Sequence, residues 1–501
     1  MLPARRQQSL QADGSFNFLN KTRQLKDVGW DGDDCAKLWR YNQHYFDDLN
    51  AIGAAKRHGL HRNLMLDWVS KNQPGQGSGW EPYPTSLRIV NWMKWSLSGH
   101  ELPNDCLQSL AVQTRWLAKN IEWHILGNHL FANAKALVFA GLFFEGVEAQ
   151  NWLDTGLQII SDEIAEQVLP DGAHFELSPM YHSIFLEDVL DLINIFTTFD
   201  GGVSRTNVES LQKTAAQMLN WLNGMCHPDA EITFFNDSAH NIAPSPGEIR
   251  TYAKRLGINH SQSVLSGKRL SITHFADSGY IQLRAPQLWL FLDVASIGPD
   301  YLPGHGHADT LSFEMSLFGQ RVFVNGGTSR YGTGEVRLTE RGSAAHNTVV
   351  VNDENSSEVW SGFRVARRAT IHDLIIDKTV ESVSVSCSHD GYKRLTGRPI
   401  HNRRWVLSDG KLLVQDLVDG AFDSAKAYFH LYPDITIAQA GKQKWELYLP
   451  EKQRVVRLEA LAGFAKIEPS FFSPEFGVRI PTMCLTIGFQ DIHKTALEIS
   501  W

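Results

Sequence analysis

The sequence predicts a chain of two unlike parts, an N-terminal (α/α) toroid or incomplete barrel over residues 1–262 and a C-terminal antiparallel β-sandwich over 268–501. One observation is the spacing of apolar residues in the first half, which recurs every three to four positions as in helices with one buried face. Another is the switch to strict alternation from Ser271 onward, the pattern of strands with one face turned inward. The third is size. A chain of 501 residues, 43% hydrophobic and 20% charged, can build more than one packed core.

Taken in order, helices are expected over 86–98, 106–120, 129–144, 151–168, 179–197 and 207–225, with polar turns between them. Helix follows helix with hardly a strand signal, which points to paired helical layers rather than a βα alternation. The boundary is expected near 257–267. Beyond it, strands are expected over 279–283, 288–294, 311–317, 321–324, 347–351, 382–386, 411–415 and 444–449. Asp390-Gly391, Asp409-Gly410 and Asp419-Gly420 mark turns among them. Many short strands with regular turns suggest an antiparallel sandwich.

Composition narrows the function classes. A formal net charge of −8 argues against a general nucleic-acid binder, while leaving room for an acidic sugar polymer in a locally basic cleft. The 15 tryptophans offer flat faces that suit sugar rings, although most are expected in the core. The five cysteines are scattered and include no CxxC pair, so neither a disulfide framework nor a thiolate metal site is indicated. Residues 1–14 lack the apolar core of a signal peptide, and no apolar run reaches membrane length. The chain as written therefore reads as cytoplasmic, with no membrane contact. Nothing in it speaks to oligomeric state.

Four stretches carry chemistry. In Gly304-His305-Gly306-His307-Ala308-Asp309 two imidazoles and a carboxylate stand at the start of an alternating run, 310–317, in which Thr310, Ser312, Glu314 and Ser316 share one face. Imidazole serves as acid, base or metal ligand near neutral pH. Asn325 and His346 follow at strand ends, so His307, Asn325 and His346 are a chemically sensible metal set, or else ordinary hydrogen-bonded groups. In Ser178-Pro179-Met180-Tyr181-His182, Ser178 and Pro179 look like the cap and first residue of a helix. Tyr181 then falls in the first turn, where the helix dipole favours a phenolate; the alternative is a packed core tyrosine. Asn128 opens another helix, as an N-cap or as an amide for a substrate carboxylate, with His129 beside it. Lastly Arg88, Arg330, Tyr331, Arg337 and Arg341 offer guanidinium forks and a ring for carboxylates or sulfates, each more commonly a surface group. Asp237, in Phe235-Asn236-Asp237-Ser238, is a weaker candidate still.

Together with Trp39-Arg40-Tyr41-Asn42-Gln43-His44-Tyr45-Phe46 and His346-Asn347-Thr348-Val349-Val350-Val351, these stretches resemble the heparinase II/III family of polysaccharide lyases over nearly the whole chain. The resemblance implies the two-part fold above. It also implies cleavage of a uronic-acid polysaccharide by β-elimination, leaving an unsaturated uronate. It implies Asn128 as the carboxylate-neutralising amide, with Tyr181 and His305 as acid and base. Arg88, His129, His182, Arg330, Tyr331 and Arg341 are the expected substrate contacts. No organic cofactor is implied. Some members hold a structural divalent metal, zinc or calcium, where His307, Asn325 and His346 fall; the middle ligand there is generally an aspartate. Exported relatives make the periplasm an alternative compartment. Two other readings stay open: a glycoside hydrolase using Glu176 and Asp237, and a non-catalytic polysaccharide-binding or assembly protein.

Overall fold

Every helix expected in the first half forms, several of them opening up to four residues early: Pro82–Leu97, Asn104–Lys119, Gly127–Phe143, Val147–Gln167, Pro179–Thr198 and Arg205–Gly224. Polar or proline-led first turns carry no apolar signal, so periodicity alone misses them. The structure, a computed structural model, describes residues 1–199, 202–258, 270–489 and 493–501. Most of the boundary expected near 257–267 lies outside the described residues. Further helices at Lys37–Tyr45, His58–Lys71, Pro246–Arg255 and Glu335–Arg341 were not anticipated. Nor was a small hairpin, Ser15–Phe18 with Lys21–Gln24, whose turn residues Leu19 and Asn20 both have positive φ. No helix among the described residues is long and apolar enough to cross a membrane.

The chain divides into two compact units. The first comprises Met1–Gly172, Ser183–Asn220 and Asn241–Ser261; the second comprises Ala173–His182, Trp221–His240 and Gln262–Trp501. Two stretches from the helical half of the sequence therefore cluster with the strands. In the first unit, Gly127–Phe143 and Val147–Gln167 approach closely because each brings a glycine to the contact. A Cβ on Gly141 would meet Leu153 at 2.6 Å, and one on Gly156 would meet the Ala134 carbonyl at 2.7 Å. The same unit buries Lys94 and Lys135 against Asp188 and Asp191, so these four charges are paired.

Among the described residues the second unit holds three antiparallel sheets of four or more strands, beside a two-stranded ribbon of Val359–Trp360 with Arg364–Val365. Five strands pair in sequence order from Ser271–Phe275 to Gln320–Phe323. A four-stranded sheet runs Phe464–Phe472, Ile480–Gly488, Ala425–His430, Val349–Val351. In an eight-stranded sheet, Ile371–Lys378, Ser382–His389, Ile400–Ser408 and Lys411–Asp419 lead to Lys494–Ser500, then Arg454–Ala462, Lys444–Leu449 and Thr436–Gly441. Leu290, Phe313, Met315, Phe429, Trp405, Leu447 and Leu485 belong to one buried cluster.

One element departs from its reading. The alternation over 310–317 was expected to be a strand with a polar outer face and histidines at its mouth. The strand is only Phe313–Leu317, and all five of its residues are buried. Leu311 has a φ of +62°, which breaks the extended chain and leaves His305 and His307 in a loop. The polar face is covered by the 221–240 stretch: His227 meets Glu314 at 2.9 Å and Ser316 at 2.7 Å. Burial pushes the Glu314 carboxyl up to about 7.

Candidate active site

Three stretches of the second unit converge on one carboxylate. Asn236, with a φ of +55°, turns the chain so that the Asp237 side chain points inward, fully buried. Asp237 accepts from His305 Nδ1 at 2.8 Å, His307 Nε2 at 2.8 Å, Arg337 Nη2 at 2.7 Å, Arg337 Nη1 and Thr328 Oγ1. Burial alone would raise its pKa. The Arg337 guanidinium and the two imidazoles outweigh that and hold the carboxyl well below the usual carboxylate range. Asn236 adds its own ties. Its amide donates to the Leu177 carbonyl at 3.0 Å, and its carbonyl accepts from the His307 backbone at 3.0 Å. Leu177 sits at a φ of +59°, a conformation costly for a residue with a Cβ.

Immediately after Leu177, the helix Pro179–Thr198 starts as its sequence suggests. Ser178 Oγ accepts from the Tyr181 backbone N–H at 3.2 Å and donates to the Asp237 carbonyl at 2.5 Å. This brings Tyr181 over His305, ring centroids 3.8 Å apart and inclined by 26°. The Tyr181 hydroxyl lies 2.9 Å from that of Tyr331. Edge contacts from Phe363 to His305 at 5.9 Å and to Tyr331 at 5.2 Å complete an aromatic wall. The expected help from the helix dipole does not lower the Tyr181 pKa. Burial, with Tyr331 and Asp237 nearby, raises it well above the ordinary value, so the group is a neutral phenol.

The remaining expectations divide. Tyr331 is at the site and Arg330 beside it in sequence is exposed. Arg341 is fully buried, giving Nε and Nη2 to the Gly306 carbonyl at 3.2 and 2.8 Å; it braces the histidine loop instead of meeting a ligand. His182 is equally buried, with its ring against Trp221, and is withdrawn as a substrate contact. So is Arg88 in the first unit. It has no exposed surface, donates to Gln113 and to the Gly79 carbonyl, and lies over the Trp68 ring at 3.8 Å. His129 stacks on Tyr83 and meets Glu122 at 3.1 Å, retaining some exposure. Asn128 is half-buried in the first turn of Gly127–Phe143. It does not cap that helix, because the cap position is Leu126 at a φ of +65°.

Each member of the suggested metal set is engaged in hydrogen bonds within the fold. The Asn325 carbonyl accepts from the Asn347 backbone and its amide donates to Ser312, while His307 and His346 face each other at 3.2 Å as donor and acceptor. Among the described residues, no group of three or more His, Cys, Asp or Glu side chains could hold a metal. Asp237 and Arg337 carry more of the site than the sequence reading assigned them. Short polar segments among apolar neighbours, such as 235–238, give no periodic signal, and only the strained turn at Asn236 marks this one. The five donors on Asp237 also leave it unsuited to the acid or nucleophile role of a glycosidase.

Comparison with known proteins follows the same division. Residues 61–255 match a family model described as heparinase II/III N-terminus, and residues 267–496 one described as heparinase II/III-like, C-terminal. A heparin-sulfate lyase of Bacteroides stercoris is 27% identical over 252 residues, covering 47% of this chain and 37% of that protein. The chain thus aligns with little more than a third of that curated relative's length. Among solved structures, a heparinase III gives a TM-score of 0.75 at 16% identity, covering 98% of this chain and 80% of that one. A heparan sulfate lyase from Pedobacter heparinus gives 0.62 at 17%, covering 97% and 81%. At such identities the likeness shows the fold, a helical toroid followed by an antiparallel β-sandwich.

Proposed function

The chain belongs to the heparinase II/III-like family, and on that premise we propose that it is a carbon–oxygen lyase cleaving a uronic-acid-containing polysaccharide by β-elimination. The observation that carries this reading is the Tyr181–His305 pair: an imidazole and a neutral phenol ring against ring, the phenol held by Tyr331. Elimination needs a base for the proton on C5 and an acid for the departing O4. His305 acts as the base. As the C5–H bond breaks, negative charge spreads into the adjacent carboxylate, where an amide, the role the family resemblance gives Asn128, would stabilise it more than the ground state. The electron pair then forms the C4–C5 double bond, the C4–O4 bond breaks, and Tyr181 delivers its proton to O4. No step needs an organic cofactor.

Because the two rings are stacked, both groups reach a sugar from one side. That suits a uronate whose C5 proton and O4 share a face, as in glucuronate, over its C5 epimer iduronate. Arg330, Tyr331 and His129 are the remaining candidates for contact with the acidic polymer. The test is to incubate the purified protein with a panel of uronate polysaccharides and follow ultraviolet absorbance of the new double bond. Absorbance that appears on glucuronate polymers, and falls about a hundredfold or more in rate for Asn128→Ala, supports the reading. Cleavage without a chromophore would mean hydrolysis, and binding without cleavage would mean a carrier.

A further inference from the structure

Asp237 has no part in the elimination scheme above, yet it is the most heavily bonded side chain of the site. We infer that Asp237 is a positioning residue whose carboxylate fixes the tautomer of His305, keeping the proton on Nδ1 and the lone pair on Nε2. An ionised carboxylate only accepts hydrogen bonds. It meets His305 through Nδ1 and His307 through Nε2, both at 2.8 Å, so each imidazole must present an N–H at those atoms. Arg337 bonds both carboxylate oxygens and so keeps the group ionised and aimed. The hold on His305 has two points, because the Asp237 backbone N–H also donates to the His305 carbonyl at 3.0 Å.

The neighbouring imidazoles obey the same assignment. With its proton on Nε2, His307 has a bare Nδ1, which accepts from His346 Nε2 at 3.2 Å. One acceptor thus sets the proton positions of two rings, His305 and His307. The consequence for His305 as a base is a lone pair on Nε2, where a sugar proton can be taken.

The inference rests on the elimination reading only in its activity arm, and the spectroscopic arm stands apart. Protein labelled at histidine with the heavy nitrogen isotope is examined by NMR at about pH 8.5, above the ordinary imidazole range. His305 is identified from the spectrum of His305→Gln. The expected result is a protonated Nδ1 and a pyridine-like Nε2 in the unaltered protein. In Asp237→Asn, keeping the amide oxygen at the position that receives Arg337 Nη1, His307 and Thr328 turns the –NH2 toward His305 and Arg337 Nη2. That should move the His305 proton to Nε2, with kcat down by about a hundredfold or more and KM within about threefold. A His305 protonated on Nε2 in the unaltered protein overturns the inference even if Asp237→Asn fails to fold. So does a folded Asp237→Asn with an unchanged tautomer or near-normal kcat. Absence of turnover in the unaltered protein, with the expected tautomer present, would count against the lyase reading alone.

Discussion

Replacing Tyr181 by Phe removes one oxygen and keeps the ring that stacks on His305, so it separates chemistry from packing. The lost bond to Tyr331 is a neutral O–H···O contact of 2.9 Å, worth about 1 kcal/mol to stability. Loss of a general acid costs about 10² to 10⁴ in rate, or roughly 3 to 5 kcal/mol of barrier. The expected signature is therefore a fall in kcat of at least about a hundredfold, with KM and the denaturation midpoint hardly moved. The assay is the initial rate of ultraviolet absorbance on the best polysaccharide of the panel, beside urea unfolding of both proteins. The pH profile gives a second reading. Burial, Tyr331 and Asp237 raise the Tyr181 pKa, so the phenol keeps its proton past its ordinary value near pH 10. The unaltered enzyme should show no tyrosine-dependent fall in kcat below about pH 10. A variant within tenfold of the normal rate would refute the acid assignment, as would an alkaline decline near neutrality that Tyr181→Phe abolishes.

Other residues give distinct outcomes. Arg88→Met should destabilise the first unit by about 2 to 4 kcal/mol, because the Gly79 carbonyl and Gln113 lose a buried charged donor, without altering KM; a KM effect with normal stability would restore it as a substrate contact. Arg341→Met frees the Gly306 carbonyl and loosens the histidine loop, so kcat should fall by about ten- to a hundredfold while bulk stability drops by about 1 to 3 kcal/mol; unchanged kinetics would contradict the bracing role. Asp416 sits in the large sheet with Arg403 and His401. Burial would raise its pKa, yet those partners hold it at about 2 against an ordinary 3.8. Its folded pKa is depressed, so the stabilisation is present above about pH 4 and is lost as pH falls through about 2, amounting to roughly 2 to 3 kcal/mol. Urea midpoints of the unaltered protein and Asp416→Asn should differ at pH 7 and draw together toward pH 2, and a gap constant with pH would defeat the linkage.

Local rules read much of this chain. The spacing of Leu and Val positions located six helices, and Ser178-Pro179 correctly started the one that carries Tyr181, because capping and apolar periodicity are properties of a few neighbouring residues. Alternation found the strands, but for 310–317 it could not tell a solvated polar face from one covered by another segment, since Glu314 and Ser316 look the same either way until His227 arrives. Arg88, Arg341 and His182 failed as ligand contacts for a related reason: a charged or imidazole side chain carries no local mark of whether its partner is solvent, sugar or a carbonyl far along the chain.

What the sequence by itself determined is the six main helices of the first half, the strand-rich second half and the two-part division of the fold. Only the tertiary structure decided that Asp237, 68 residues from His305 and 100 from Arg337, is where their hydrogen bonds meet. A buried carboxylate must find donors wherever the fold brings them, and positive φ at Leu177 and Asn236 is tolerated only because contacts distant in sequence hold it. Such long-range satisfaction leaves no periodic trace in the chain.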